Sequence, residues 1–546
     1  MKKNVLNRAQ TTPQTLQSSH SHMKNQPKEE AHGQGDHQVG WPITKAAKKL
    51  SEEEDLNAMM VTEDDPVTFA EAMKSKKWRE AMLAELDAIE RNHTWELTEL
   101  PTGIKAIGLK WLFKTKLNEE GDVEKIQGTT GGERLRTTLD TIRVIIATAA
   151  QHGWEVFQLD VKSAFLHGKL KETVFVQQPE GFIKKGEEEK VYRLKKALYG
   201  LKQAPKAWYS RIDGYFIREG FERCPNEHTL FTKSKEGKIL IVSLYVDDLI
   251  FTGNDQSLCE EFKASMMLEF EMSDLGKMKH FLGIEVKQCR EEFSSVKGVK
   301  NPMVPGSRLS KNDGGAKVDE TLFKQVVGSL RYLTATRPDL MYAVGLISRF
   351  MSCPTMTHWM AAKRVLRYLK GTTDLGVFYK RGQSCLTLTA FSDSDYAGDL
   401  DDRRSTSGFV FMLGSGAVSW SSKKQTVVAL STTEAEYIAA ALCASQCIWL
   451  RRVLEGIGGA EKTSTVIMCD NSSTIQLSKH PVFHGKSKHI DVRFHFLRDM
   501  VNDGIVELSY CNTEEQVADI MTKPLKLEQF VKLRRMLGVI EAAEVS

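Results

Sequence analysis

Apolar positions along the chain follow two rhythms, one helical and one alternating, separated by stretches with neither. Up to about residue 65 the sequence is polar and charged without a sustained period, and the Asp65-Pro66 step marks a natural boundary. Beyond it Phe69, Met73, Trp78, Met82, Leu86 and Ile89 recur at helical spacing, which predicts one amphipathic helix over 69–89. Lys110 to Lys116 alternates as a strand does, lysines to one side and apolar residues to the other. A helix follows over 138–150, and Val156-Phe157-Gln158-Leu159 and Ile239 to Leu244 read as strands, the second continued by Leu249-Ile250-Phe251. Residues 288–320, rich in Ser, Gly, Lys and Asp with Pro302 and Pro305, read as a linker.

Helical spacing returns from Leu322 to about Lys380. In the helix over 359–370, Lys363, Arg364, Arg367 and Lys370 share a face opposite Val365, Leu366 and Leu369. That face is either solvated or a track for nucleic-acid phosphates, whose recognition needs no base contact. From Cys385 onward the pattern predicts a strand over 386–391 and a hairpin over 408–420 turning at Gly414-Ser415-Gly416. A helix over about 432–454, a strand over 466–469 and helices over 472–478 and 494–501 come next, then a strand over 505–510 and a helix over 514–521. The class is a mixed α+β / α/β multidomain chain.

Composition narrows this modestly. A chain of 546 residues, 41% hydrophobic, has room for two to four domains. A net charge of +4 permits nucleic-acid binding without requiring it. No apolar run approaches the roughly 18 residues of a membrane span, and the start lacks a signal-peptide core, so a soluble intracellular protein, cytoplasmic or nuclear, is expected. The nine cysteines show no paired zinc spacing and suit a reducing compartment; Cys443 and Cys447 read as residues of a helix. His20, His22, His32 and His37 lie in a composition unable to bury a core.

Candidate chemistry sits at strand ends. Tyr245-Val246-Asp247-Asp248 lies between two apolar runs, which makes it a hairpin tip, and Asp160 closes the earlier strand. Asp is a common turn former, but three carboxylates at strand ends also suit a nucleotidyl transferase. Such an enzyme holds two divalent cations roughly 3.5–4 Å apart, at the attacking and leaving oxygens, and those hard cations take oxygen ligands. Adjacent strand residues face opposite ways, so Asp247 and Asp248 converge only if one lies in the turn.

The runs Gln158 to Gly168 (QLDVKSAFLHG), Ala197 to Trp208 (ALYGLKQAPKAW) and Tyr245-Val246-Asp247-Asp248, in that order, resemble the reverse transcriptase of copia-type LTR retrotransposons. The likeness continues through Arg331-Tyr332-Leu333 and Thr336-Arg337-Pro338-Asp339. It reaches Phe391 to Asp399 (FSDSDYAGD), which is similar to the start of that family's RNase H, and covers most of 66–530. The resemblance implies reverse transcriptase fingers and palm over 66–289, a linker or truncated thumb over 290–320 and a helical connection over 321–384. An RNase H-like domain over 385–530 and a tail over 531–546 complete the chain, after a disordered tail over 1–65.

It further implies a magnesium-dependent RNA-directed DNA polymerase with ribonuclease H. The partners would be an RNA template, a DNA primer, RNA-DNA hybrid and deoxynucleoside triphosphates, with no membrane. Asp160, Asp247 and Asp248 would be the polymerase carboxylates, Asp160 and Asp247 the principal ligands. Phe165 would close the floor under the deoxyribose and Lys202 would touch a phosphate. The second site would use Asp393, Glu434, Asp470 and Asp519, with Asp395 the rival of Asp393 and His489 assisting proton transfer or product release. Each has a plain alternative. Ser431-Thr432-Thr433-Glu434 is also a capping box, Asp470 an ordinary helix cap, Phe165 a core ring, and Asp519 a solvated carboxylate on a short helix.

Two departures from the family stand out. Residues 126–136 run straight into the helix over 138–150 where a longer basic strand that grips the triphosphate is expected, leaving Arg134 or Arg136 to substitute. Past Gly283-Ile284-Glu285-Val286-Lys287 further strand and helix residues are missing, so fingers and thumb read as truncated. A catalytically defective relic or co-opted nucleic-acid binder, and a chain with RNase H activity alone, therefore stay open beside the two-enzyme reading.

Overall fold

The apolar run over 69–89 folds as two helices. In the computed structural model of the chain, Thr68 caps Phe69–Ala72 with a reciprocal bond to Glu71, and Ser75, extended at φ −96° and ψ 129°, restarts the chain as α1 (Lys76–Arg91). The structure describes residues 66–113, 132–381 and 387–541, with breaks at 67, 283, 290–299, 460–462 and 480–490, and two strands further upstream, Asn4–Arg8 and Val39–Gly40. Those two strands fall in the stretch expected to be disordered. Lys114 to Lys116, residues 126–131 and His489 lie outside the described residues, as do the side chains of Arg134 and Arg136.

The elements that place the first candidate site are α2 (Gly132–His152), β1 (Val156–Val161), α3 (Ala204–Arg218), β2 (Leu230–Lys235), β3 (Lys238–Tyr245), β4 (Asp248–Gly253), α4 (Gln256–Glu269) and β5 (Met272–Lys277). They build an antiparallel sheet in the order β5-β1-β4-β3-β2, extended at its edge by Glu222–Arg223. Its central strands β3 and β4 are apolar on both faces, as strands covered on both sides must be, while β5 and β2 towards the edges are polar and partly exposed. Ile241 and Ile250 face one hydrophobic cluster; Leu240, Val242, Leu249 and Phe251 face another built with α3 and α4.

Further along come α5 (Glu320–Leu333), α6 (Met356–Lys370) and β6 (Leu375–Lys380), the last in a stretch expected to be helical. Thr336-Arg337-Pro338-Asp339 forms a wholly buried ion pair there. Arg337 and Asp339 meet at 2.7 Å, Arg337 donates to Thr372 O at 2.8 Å, and the Tyr368 hydroxyl donates to Asp339 at 2.7 Å. On α6, Val365 is buried while Lys363, Arg367 and Lys370 are exposed as expected; Leu366 is exposed with them and Arg364 is half-buried, bonded to Asn301.

The second sheet holds β7 (Leu388–Ser394), β8 (Thr406–Leu413), β9 (Gly416–Lys424), β10 (Thr465–Cys469) and β11 (Val506–Tyr510) in the order β9-β8-β7-β10-β11. The β7/β10 and β10/β11 pairs are parallel and the others antiparallel. The long helix α7 (Thr432–Gly456) crosses between β9 and β10, followed by α8 (Ser472–Lys479) and α9 (Asp491–Asn502). The expected helix over 514–521 is two 3-10 turns instead, Thr513–Glu515 and Val517–Met521. Helix α2, buried throughout 138–150, packs against β3 and β4 of the first sheet and against β6 and β9, so one hydrophobic cluster runs from Leu139 to Val539. Among the described residues no helix is long and apolar enough to cross a membrane.

Candidate functional site

The first group of carboxylates is set by strand register. Tyr245 pairs with Asp248, so Val246 and Asp247 make the turn between β3 and β4, and Asp160 of β1 stands directly opposite Asp248. Opposed residues put their side chains on one face about 4.5–5.5 Å apart at Cβ, where like charges repel. Such a pair gains from a positive charge placed beside its two carboxylates. Val246 is held at φ +56°, a left-handed conformation rare for a β-branched side chain, costing about 1–3 kcal/mol.

Two bonds hold that turn. Trp208 of α3 donates its indole N–H to Val246 O, and Val161 N donates to Asp247 O at 2.9 Å, which fastens the turn one residue past Asp160. Helix α3 comes this close because residue 168 is glycine: a Cβ there would lie 2.6 Å from Trp208 N and 2.7 Å from Ala207 C. Trp208 and Gly168 therefore position Asp247, a role not read from the sequence although both lie in the runs that carry the resemblance. Asp247 is buried, while Asp160 and Asp248 are half-buried. Burial, then the charges of Tyr332, Asp248 and Asp247, push the adjacent Tyr245 hydroxyl up to about 12.

Phe165 sits in the 3-10 turn Ala164–His167, half-buried, its ring 5.5 Å from that of Tyr199 and packed against two hydrophobic clusters. Lys202 is exposed just before α3.

The second group is tighter. Asp393 near the end of β7, Glu436 on α7 and Asp470 after β10 each offer a carboxylate oxygen within 4.8 Å of the others, the one such group among the described residues. Asp160, Asp247 and Asp248 do not close to that distance as a trio. The expected ligand Glu434 is not part of the cluster. Ser431 accepts from Glu434 N at 3.1 Å, and Glu434 Oε2 accepts from Leu430 N at 2.8 Å, one residue before the Ser431 amide that a capping box would use. Two residues further is about 200° around the helix, which turns Glu436 the other way, toward β7.

Glu436 Oε1 accepts from Ser394 N at 3.1 Å, while Oε2 is buried with no hydrogen-bond partner. Burial, then the charges of Asp393 and Asp470, raise its carboxyl far above the ordinary range. Asp519 joins from the turn Val517–Met521: its Oδ1 lies 2.8 Å from Lys523 Nζ, which is 3.6 Å from Asp393 Oδ2. Burial and the Asp393 charge raise Asp519 too. Thr522 donates to Asp393, and Thr513 donates to Asp470 Oδ2 at 3.1 Å. Asp395, the rival, accepts instead from Thr406 N, and burial pushes it up to about 6.

An all-carboxylate oxygen set in which Glu436 keeps a buried orphan oxygen and a raised carboxyl fits a hard divalent cation, which would relieve both. The turn carrying Asp519 is clamped on β8, because a Cβ on Gly408 would lie 2.6 Å from Met521 Cβ and 2.7 Å from Thr522 Cγ2. Gly408→Ala is expected to cost about 1–3 kcal/mol through this overpacking, read as a lower urea midpoint; an unchanged midpoint would contradict the close fit.

Residues 135–297 match the family described as reverse transcriptase (RNA-dependent DNA polymerase). The Retrovirus-related Pol polyproteins from transposons RE2 and RE1 of Arabidopsis thaliana are 38% and 37% identical over 88% and 92% of this chain, covering 35% and 36% of their own length. The transposon Ty5-1 protein of Saccharomyces cerevisiae is 33% identical over 52% of this chain and 98% of its own. The chain belongs to the copia-type retrotransposon Pol family. It spans about a third of the length of the Arabidopsis Pol polyproteins. Among solved structures, the foamy viral protease-reverse transcriptase in complex with RNA/DNA hybrid is 12% identical. It covers 80% of this chain and 54% of that one at a TM-score of 0.41.

Proposed function

We propose that the chain is an RNA-directed DNA polymerase followed by a ribonuclease H, a two-enzyme segment of a copia-type Pol polyprotein. The observation that carries the polymerase half is the register placing Asp160 opposite Asp248, with Asp247 fastened to Val161. In this reading residues 66–289 form fingers and palm, 290–320 a shortened thumb region, 321–384 the connection and 385–530 the RNase H unit. Magnesium ions at each site, when bound, stabilise the attacking and leaving oxygens of an in-line displacement.

The protein's own residues do the remaining work. Asp160, Asp247 and Asp248 hold the cations of the first site at a turn whose geometry Trp208 fixes in advance. Phe165, backed by Tyr199, excludes a ribose 2′-hydroxyl and so selects deoxynucleoside triphosphates, while Lys202 meets a phosphate. At the second site Asp393, Glu436, Asp470 and Asp519 gather around the RNA strand of a hybrid, in a pocket whose buried carboxyls gain from a cation and whose Thr513 and Thr522 steady Asp470 and Asp393. Template, primer and hybrid are held through phosphates, for which the exposed Lys363, Arg367 and Lys370 of α6 supply charge.

A second reading, RNase H activity alone, is favoured by one observation: only the later carboxylates close within cation reach among the described residues. Primer extension and hybrid cleavage, each with and without magnesium, separate the readings. Asp247→Asn is expected to lower extension by about 10²–10³-fold, the scale of losing one preorganised electrostatic element, with cleavage retained. Cleavage without any extension in the parent supports the second reading, and hybrid binding with neither activity supports a defective relic.

A further inference from the structure

The second site has more acid than one cation needs, and the surplus is already met by the chain. Asp393, Glu436 and Asp470 each offer an oxygen within 4.8 Å of the others, enough for one cation. Glu436 is 6% exposed and keeps Oε2 without a hydrogen-bond partner, so a buried acceptor within that set stays unused by the chain. Asp519 lies outside the set, and between it and Asp393 stands the Lys523 ammonium, 2.8 Å from one carboxylate and 3.6 Å from the other.

That lysine is built into place rather than draped there. It follows Thr522, which donates to Asp393, and the turn before it is seated on Gly408. Gln516 Nε2, at the head of the same turn, donates to Ser392 O at 3.0 Å, tying the segment to β7. The Lys523 side chain is 36% exposed against 2% for Asp393 and 5% for Asp519, so its charged end points from solvent into the acidic pocket.

We propose that the Lys523 ammonium occupies the second cation position, so that the ligand-free protein binds a single divalent cation at Asp393, Glu436 and Asp470. This rests on reading the cluster as a cation site. A monovalent point charge there neutralises the Asp393/Asp519 pair in the ligand-free protein, and a second divalent ion has to displace it. Lys523 is thus a positioning residue that sets the cation stoichiometry of the site.

The test counts cations and needs no catalysis. Full-length chain carrying Asp160→Asn and Asp247→Asn, which silence the first site, is titrated with Mn²⁺ alone, by calorimetry and by the electron paramagnetic resonance signal of free Mn²⁺. One bound Mn²⁺ is expected in this parent, two after Lys523→Met, and one after Lys523→Arg, which keeps the charge; circular dichroism checks that each variant is folded. Two ions in the parent, or one in Lys523→Met with its fold intact, would overturn the role of Lys523. No bound ion in the parent would overturn the cation site itself, and if Lys523→Met unfolds, Lys523→Gln is counted in its place.

Discussion

Glu436→Gln lowers hybrid cleavage by about 10²–10³-fold, as expected for removing one preorganised charge from a reacting centre, while Glu434→Gln leaves cleavage at the parent level. Both are neutral amides of nearly unchanged shape, two positions apart on one helix, so the contrast isolates direction. Glu434 spends its carboxylate on Leu430 N at 2.8 Å, a bond an amide oxygen also makes. Glu436 offers a carboxylate oxygen within 4.8 Å of those of Asp393 and Asp470 and keeps Oε2 buried without a hydrogen-bond partner. Burial and those two charges already hold Glu436 toward its neutral form, so the glutamine variant folds with less electrostatic strain than the parent. Its thermal midpoint in the absence of metal is therefore expected to rise as its activity falls. Equal losses in both variants, or a loss confined to Glu434→Gln, would remove Glu436 from the site.

The same pair shows how far sequence alone reached. The helix start at Ser431 was legible because capping is local, a few consecutive residues obeying one rule, and that rule offered Glu434 a place at the helix end, which it takes on Leu430 N rather than on the Ser431 amide. What it left unassigned was the next acidic residue, and only the 200° step between the two points it at β7. The hairpin tip at Val246-Asp247 was legible for a similar reason, since apolar runs on both sides leave the chain nowhere else to turn. Where reading failed, partners were distant in sequence or burial was two-sided. Leu375–Lys380 is buried at all but its last residue, which erases the alternation of a half-exposed strand, and its neighbours are Asn4–Arg8 and Val539–Glu541. Trp208 and Gly168 matter through a contact with the β3–β4 turn that no periodicity announces.

Arg143→Ala is expected to destabilise the whole chain by about 3–5 kcal/mol, because breaking a buried ion pair from one side strands the other charge. Arg143 and Asp140 are both buried on α2 and bonded to each other. Arg143 donates to Val418 O at 2.7 Å and Ala335 O at 2.6 Å, and its guanidinium lies 4.1 Å from the centre of the Trp420 ring. Asp140 Oδ2 accepts from Ser419 at 2.9 Å and Gln446 at 3.1 Å, and Trp420 donates to Thr334 O at 2.9 Å. The Arg143–Asp140 pair thus joins α2 to the segment after α5, to β9 of the second sheet and, through Gln446, to α7, across a cluster that is continuous from Leu139 to Val539. Urea unfolding followed by tryptophan fluorescence and by hybrid cleavage should give coincident transitions in the parent, and both should shift together in Arg143→Ala. Asp140→Asn combined with Arg143→Met, which removes both charges, should recover much of the loss, since well-packed neutral replacements of buried pairs are often tolerated. Separate transitions, with only extension moved by the substitution, would mean that the two sites fold independently and that α2 belongs to the first alone.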